Sequence, residues 1–206
     1  MIPSLIPSLL RGDGVRALQG FFVRDDAYGL WRPGDAKGHT VRRAVTVDLL
    51  ERHVAGEVRV GAHTTDRHHR ARWMVIDVDK GSGTAVLDIM AVAARCGAPV
   101  AVEASKTGGR FHLWVFFAEA VPAWKARALG HGLLRTAGWG NHGIEVFPKQ
   151  DTVEETDKGL GNFVWLPWCG ANVAAGRTVF VDVRRDQWPP HADQIAYLSA
   201  LPRVEA

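Results

Sequence analysis

The stretch Trp73-Met-Val-Ile-Asp-Val-Asp79 ends an apolar run with two carboxylates one residue apart. In an extended chain, residues two apart share a face and lie about 6.5 to 7 Å from each other. Asp77 and Asp79 therefore point the same way, while Ile76 and Val78 point into a core. Two anions held side by side repel unless a cation sits between them. A hard divalent ion such as Mg²⁺ or Mn²⁺ takes oxygen ligands of this kind and keeps positions for phosphates. An Asp-x-Asp pair also occurs as a solvated flank of a turn, so the pair alone does not decide the chemistry.

Downstream, Ser105-Lys-Thr-Gly-Gly-Arg-Phe-His112 is a polar turn with two cations and a histidine, running into the apolar stretch Phe111 to Phe117. Gly108 and Gly109 permit positive φ and close backbone approach, so amide N–H groups can line a concavity for anions. Read alone, the turn is an ordinary hairpin connection. A third acid, Glu145, lies in the short run Gly143-Ile-Glu-Val-Phe147. Beyond it, Phe147-Pro-Lys-Gln-Asp151 and Gly159-Leu-Gly-Asn-Phe-Val-Trp-Leu-Pro167 bracket a polar loop.

The elements that must position these residues follow from periodicity. Residues 72–79 read as a strand, and 84–96 as a helix with Val86, Leu87, Met90 and Ala94 on its apolar face and Gly97 as its stop. Residues 99–103 and 111–117 read as strands joined by the glycine turn. A second helix starts at Pro122, with Trp124, Leu129, Leu133 and Leu134 on one face and Gly138 at its end, and 144–147 is a fourth strand. The order βαββαβ is ferredoxin-like, or RNA-recognition-like (RRM-like). In that unit the first strand lies between the third and fourth and antiparallel to both. Strand ends and side-chain parity then bring Asp77, Asp79, His112 and Glu145 to one end and one face. Such a convergence is a metal and nucleotide site.

In order and spacing, Val75-Ile-Asp-Val-Asp79, Ser105 to His112 and Ile144-Glu145 resemble the three motifs of the archaeo-eukaryotic primase (AEP) superfamily: an hhhDhD strand, a small-residue turn ending in a histidine strand, and a later acid. The likeness is closest to the prim-pol branch of mobile elements, conflict systems and CRISPR-associated loci, where segments like 53–61, 147–151, 159–162 and Leu166-Pro167 recur. It spans roughly residues 20 to 170. The resemblance implies that Asp77, Asp79 and Glu145 are the catalytic, metal-binding residues of a two-metal site for Mg²⁺ or Mn²⁺. It further implies that Ser105, Lys106, Gly108, Gly109, Arg110, His112 and Asn162 bind the nucleotide. Many relatives carry aspartate where this chain has Glu145, which leaves the choice of metal open. Many cellular primases carry a zinc module, whereas this chain has two distant cysteines, Cys96 and Cys169, and no structural zinc is expected.

The implied activity is template-directed nucleotidyl transfer by a primase-polymerase. Its partners would be a single-stranded DNA template, a primer or initiating nucleotide, and NTP or dNTP, with a helicase or CRISPR or conflict-system proteins as further associates. Arg67, Arg70, Arg72 and Lys149 are the candidate nucleic-acid contacts, and the 67–72 segment is expected to hold the initiating nucleotide. Trp114 is read as a cleft wall, Trp165, Trp168 and Trp188 as stacking surfaces for bases, and Tyr28 as a sugar gate. For each tryptophan, core packing is the competing reading. A metal-dependent nuclease or phosphodiesterase would use the same carboxylates without needing the cationic turn. A silent nucleotide or single-strand binder would need neither metal nor acids.

Composition agrees with this without selecting it. The chain has 206 residues, 25 basic against 22 acidic for a net charge of +3, and eight tryptophans. It has no apolar run of membrane-spanning length, and residues 1–10 lack a charged leader region and a cleavage site, so a cytoplasmic protein is expected. The fold expected is α+β: a single AEP core over 1–206. An N-terminal αβ layer (about 1–70) would pack on the RRM-like unit (about 71–150), completed by C-terminal strands and a helix from 189 to 201 (within about 151–206).

Overall fold

A computed structural model describes Leu9 and residues 12–79, 82–154 and 160–205. The central unit is β4 (Arg70–Val78), α3 (Ser82–Arg95), β5 (Ala101–Ala104), β6 (Phe111–Pro122), α4 (Ala123–Thr136) and β7 (Glu145–Phe147). Its strands pair antiparallel in the order β7-β4-β6-β5, and β9 (Val179–Phe180) extends the sheet beyond β5. This is the expected ferredoxin-like order with one added edge strand.

Helices α3 and α4 cover the face that carries Met74, Ile76, Val78, Leu113, Val115 and Val146, all buried. The face of α3 differs from the expected one: Ala85, Val86, Ile89, Val92 and Ala93 are buried, while Leu87 is 48% exposed. Apolar residues surround this helix, so its own pattern cannot select a face and the sheet does. On α4, Trp124 is 54% exposed and small residues turn inward instead. A Cβ on Gly130 would lie 2.5 Å from the Val146 side chain and 3.1 Å from the Met74 sulfur, so glycine lets the helix approach the sheet closely.

A second layer holds α1 (Gly12–Gln19), β1 (Tyr28–Trp31), β2 (His39–Val41), α2 (Val47–Ala55) and β3 (Arg59–His63). Thr46 caps α2 by accepting a hydrogen bond from Leu49 N–H at 3.2 Å. Gly56 ends it in the left-handed region at φ 84°. The strands form a sheet in the order β2-β1-β3-β8, in which β8 (Phe163–Trp165) comes from the C-terminal segment. The last 50 residues thus supply one strand to each sheet. The terminal helix is shorter than expected: after the four-residue α5 (Gly170–Val173), α6 spans Gln194–Ala200 with Asp193 as its cap. Residues 181–190 instead form a closed loop, bridged between Val181 and Pro190.

The face of the central sheet opposite the helices is not open along its whole length. Phe21 packs edge-on against Trp114 and Phe116, with centroids 5.1 and 5.4 Å apart, and Trp73 meets Trp114 at 5.1 Å. Trp114 is fully buried here, so it is core and not the expected cleft wall. Trp168 is likewise buried, donating its indole N–H to Gln194. Only the end that bears Asp77 remains accessible. Among the described residues, no helix is long and apolar enough to cross a membrane.

Candidate active site

Strand register builds the site. Asp77 on β4 is directly opposite His112 on β6 and Glu145 on β7, and His112 is in turn opposite Glu103 on β5. Four ionisable residues thus form one row, Glu145–Asp77–His112–Glu103, across four adjacent strands. Glu103 is the member that sequence reasoning missed. Its signal was a lone acid in an apolar strand, at the parity opposite Val102.

Glu103 is 1% exposed. Its Oε2 accepts hydrogen bonds from His112 Nδ1 at 3.0 Å and from the Trp114 indole N–H at 2.7 Å. The other ring nitrogen, His112 Nε2, lies 3.7 Å from Asp77 Oδ1. Burial by itself pushes the His112 pKa down, but the charge and hydrogen bond of Glu103 and the charge of Asp77 outweigh it and raise the pKa. Both neighbouring carboxylates thereby favour the protonated imidazole. Asp77 shifts the other way from an ordinary paired acid. Burial, opposed by His112 and reinforced by Asp79, Glu145 and Glu103, raises its pKa, and its buried Oδ1 has no hydrogen-bond partner.

Asp79 and Glu145 are half exposed and face cations of their own: Arg110 Nη1 is 3.4 Å from Asp79, and Lys149 pairs with Glu145. In this arrangement no three His, Cys, Asp or Glu side chains among the described residues converge closely enough to hold a metal ion. The donor chemistry of the three carboxylates, all oxygen ligands, nonetheless suits a hard divalent cation, and the buried Asp77 Oδ1 has no hydrogen bond.

The glycine turn closes with Ser105 N–H donating to the Arg110 carbonyl at 2.9 Å, and Gly109 takes φ 75°, which only glycine adopts without strain. The side chains from Lys106 to Arg110 are exposed around it. Across the cleft, the four-stranded sheet presents Trp31, Arg59, His63, Phe163 and Trp165 on a single face, as the pairing of Gly29 with Gly61 and of Gly61 with Trp165 requires. Phe163 lies over Gly29 and Gly61, where a Cβ would come within 2.4 and 2.6 Å of its ring. Arg59 stacks on Trp165 at 4.7 Å, and Lys106 reaches 5.8 Å from Trp31. Between the two layers, a cavity of about 180 Å³ is lined by Asp77, His112, Phe147, Phe163 and Trp165.

Other expected residues are placed elsewhere. Asn162 adjoins Phe163, with its side-chain oxygen buried and unpartnered. Lys149 is bound to Glu145 and stacks at 4.8 Å on Phe147, so its charge serves the acid row. Arg67 pairs with Asp26 at 3.5 Å, and Arg70 bonds the Ala120 carbonyl. Arg70 begins β4 and Asp77 nearly ends it, which separates them by about 23 Å at the rise of a strand. The 67–72 segment therefore cannot hold an initiating nucleotide against the acids, contrary to expectation. Sequence adjacency to the strand concealed which end it adjoins. Tyr28 is buried on the opposite face of β1 from Trp31, so it is no sugar gate. Lys80 and Gly81, which follow Asp79, and Gly159 lie outside the described residues.

Residues 35–206 match the family described as the archaeo-eukaryotic primase domain of the TOTE conflict system. The chain belongs to this family. Among solved structures, it is similar to the polymerase domain of Mycobacterium tuberculosis ligase D in complex with DNA, at 14% identity and a TM-score of 0.46, covering 100% of this chain and 85% of that one. No curated protein matches the chain. The AEP family is a nucleotidyltransferase and primase-polymerase family.

Proposed function

We propose that this AEP domain is a primase-polymerase that extends nucleic-acid strands on a single-stranded DNA template. The observation that carries the reading is the row Glu145–Asp77–His112 on directly paired positions of three strands, with the cationic glycine turn at the same sheet end. Asp77, Asp79 and Glu145 would hold Mg²⁺ or Mn²⁺. The chemistry such ions would supply there is a more acidic 3′-hydroxyl and compensation of charge at the phosphorus.

The protein's own groups do the rest. His112, bonded through Nδ1 to Glu103, turns Nε2 toward Asp77 and the space beside it, where the phosphates of an incoming nucleotide would lie. Arg110 and Lys106, with the hydroxyl of Ser105 and the turn amides, neutralise the triphosphate. Arg110 exchanges Asp79 for a phosphate oxygen and so frees that carboxylate for a metal. Phe163 and Trp165 offer π faces for bases opposite the acid row. The reaction forms a bond from the 3′-oxygen to the α-phosphorus and breaks the α–β bridge, releasing pyrophosphate. Conflict-system proteins are the natural associates of such a domain.

The test is incubation with Mn²⁺, a single-stranded template and labelled NTPs or dNTPs, with and without primer. Extended primer supports the reading, and dinucleotides without primer extend it to initiation. Shortened template with no synthesis replaces it by a nuclease, and an unchanged template by a binder.

A further inference from the structure

On the four-stranded sheet, Arg59 stands between two tryptophans. Trp31 is directly opposite it on β1, and Trp165 pairs with Gly61, the next residue of β3 on the same face. The guanidinium carbon lies 4.7 Å from the Trp165 ring centroid. Both rings are held in place. The Trp31 indole N–H donates to the Asp35 carbonyl at 2.9 Å, and Trp165 meets Phe163 edge-on at 4.9 Å. A Cβ on Gly38 would fall 2.5 Å from the Trp165 ring, so glycine there makes room for the indole.

The cation itself is left without an anion. Arg24, the buried arginine of the same layer, forms a two-pronged pair with Asp26 at 2.7 and 2.9 Å. Arg59 has no such partner: among the described residues no carboxylate pairs with it, and its buried Nε makes no hydrogen bond. Burial pushes its pKa down, opposed by Cys169 and Glu103. Taking a guanidinium out of water without a counter-ion costs stability. A bound anion offsets that cost.

The setting selects the anion. A planar cation flanked by indoles, with Phe163 on the same face, alternates charge with flat apolar surface. That pattern tracks a nucleic-acid single strand, with phosphates on the cation and bases on the rings. The triphosphate cradle belongs to the other sheet, at the turn between β5 and β6. We infer that Arg59 holds a backbone phosphate of the single-stranded template while neighbouring bases lie on the aromatic rings beside it. The inference rests on the reading that the cleft takes a template, and adds to it the residue that fixes where the strand lies. A contact to the backbone carries no base preference of its own.

The test is binding of a fluorescein-labelled oligothymidylate to the full chain in EDTA, followed by anisotropy across a sodium chloride series. Arg59→Met should weaken binding at low salt by about tenfold. It should also lower the slope of log K against log salt by about 0.7, the share of one phosphate contact on a single strand. Its melting temperature should hold or rise, since an apolar chain replaces a desolvated cation. Arg59→Gln should give the same slope change, and Arg59→Lys, which keeps the charge but not the stacked plane, should keep the parental slope. A parental slope in both neutral variants overturns the inference, and a lowered melting temperature beside it makes Arg59 a packing residue. Loss of ATP affinity in Mn²⁺ with the DNA slope unaltered overturns it as well, because the guanidinium then serves the incoming nucleotide. A parent chain that binds no single strand removes the template reading too, whereas strand binding with an unaltered slope in the variants removes this inference alone.

Discussion

The two sheets that face each other across the cleft handle a buried histidine in opposite ways. On the five-stranded sheet, His112 sits between Glu103 and Asp77 and its pKa is raised. On the four-stranded sheet, burial, with Arg24 adding to it, pushes His63 down to about 4. The fully buried His53 beneath that sheet, which accepts from Val60 N–H at 3.1 Å and bonds the Pro167 carbonyl at 2.8 Å, is also near 4. Burial lowers all three; only carboxylates in the same sheet row reverse it. One layer therefore sets carboxylates beside its histidine in the same sheet row, and the other buries its histidines without them.

The strongest way to break this comparison is to remove the charge. Asp77→Ala combined with Asp79→Ala should lower strand synthesis by about 10³-fold or more. The melting temperature should hold or rise, since crowded carboxylates are relieved. Primer extension surviving in that variant would remove the acid row from catalysis. Glu103→Ala comes next: it removes the buried acceptor of both His112 Nδ1 and the Trp114 indole N–H and should cost about 3–5 kcal/mol in urea unfolding. Glu103→Gln should cost less, because a neutral acceptor remains.

A pH series sharpens the contrast between the layers. His63 and His53 titrate near 4 when folded against an ordinary value of 6.5, so the unfolded chain binds more protons in that window. Stability should therefore fall as pH drops from about 6.5 to 4, by up to roughly 3 kcal/mol for the buried His53 and less for His63. His112 has the opposite sign: its contribution is complete below the unfolded value and is lost as pH rises through its raised folded value. Urea midpoints measured across pH in EDTA should give a maximum between these limbs, and His63→Leu should make the acid limb shallower, leaving the share of His53, without changing the alkaline limb. A flat profile would mean that the layers do not differ as described.

Trp165→Ala probes the stacking layer. It should weaken single-stranded DNA binding by about 1–3 kcal/mol with little change in salt dependence. The smallest effect belongs to the far end of β4. Charge reversal at Arg70 and Arg72 should change the salt slope of DNA binding while lowering dinucleotide formation and primer elongation equally. A selective loss of initiation would return these arginines to the active site.

Much of the acid row was legible because it rests on local rules. A two-residue repeat puts Asp77 and Asp79 on one side of a strand, and the order βαββαβ dictates which strands flank β4. What was not legible depended on partners far along the chain. Glu103 looks like a strand residue until β6 brings His112 and Trp114 to it. Leu87 and Val92 are equally apolar, and only the sheet decides which of them is covered.

The sequence by itself determined the strand that carries the acids, the turn whose glycines open an anion cradle, and the family to which these motifs belong. These are properties of neighbours a few residues apart, set by backbone periodicity and side-chain size. Tertiary structure alone decided that Trp114 is core, that the 67–72 arginines lie at the wrong end of β4, and that β8 faces its aromatics toward Asp77. It also decided that Arg59 stacks on Trp165 with no paired carboxylate among the described residues. Each of those outcomes depends on inter-strand register and on which layer buries which face, and burial free energy is settled only when separated segments come into contact.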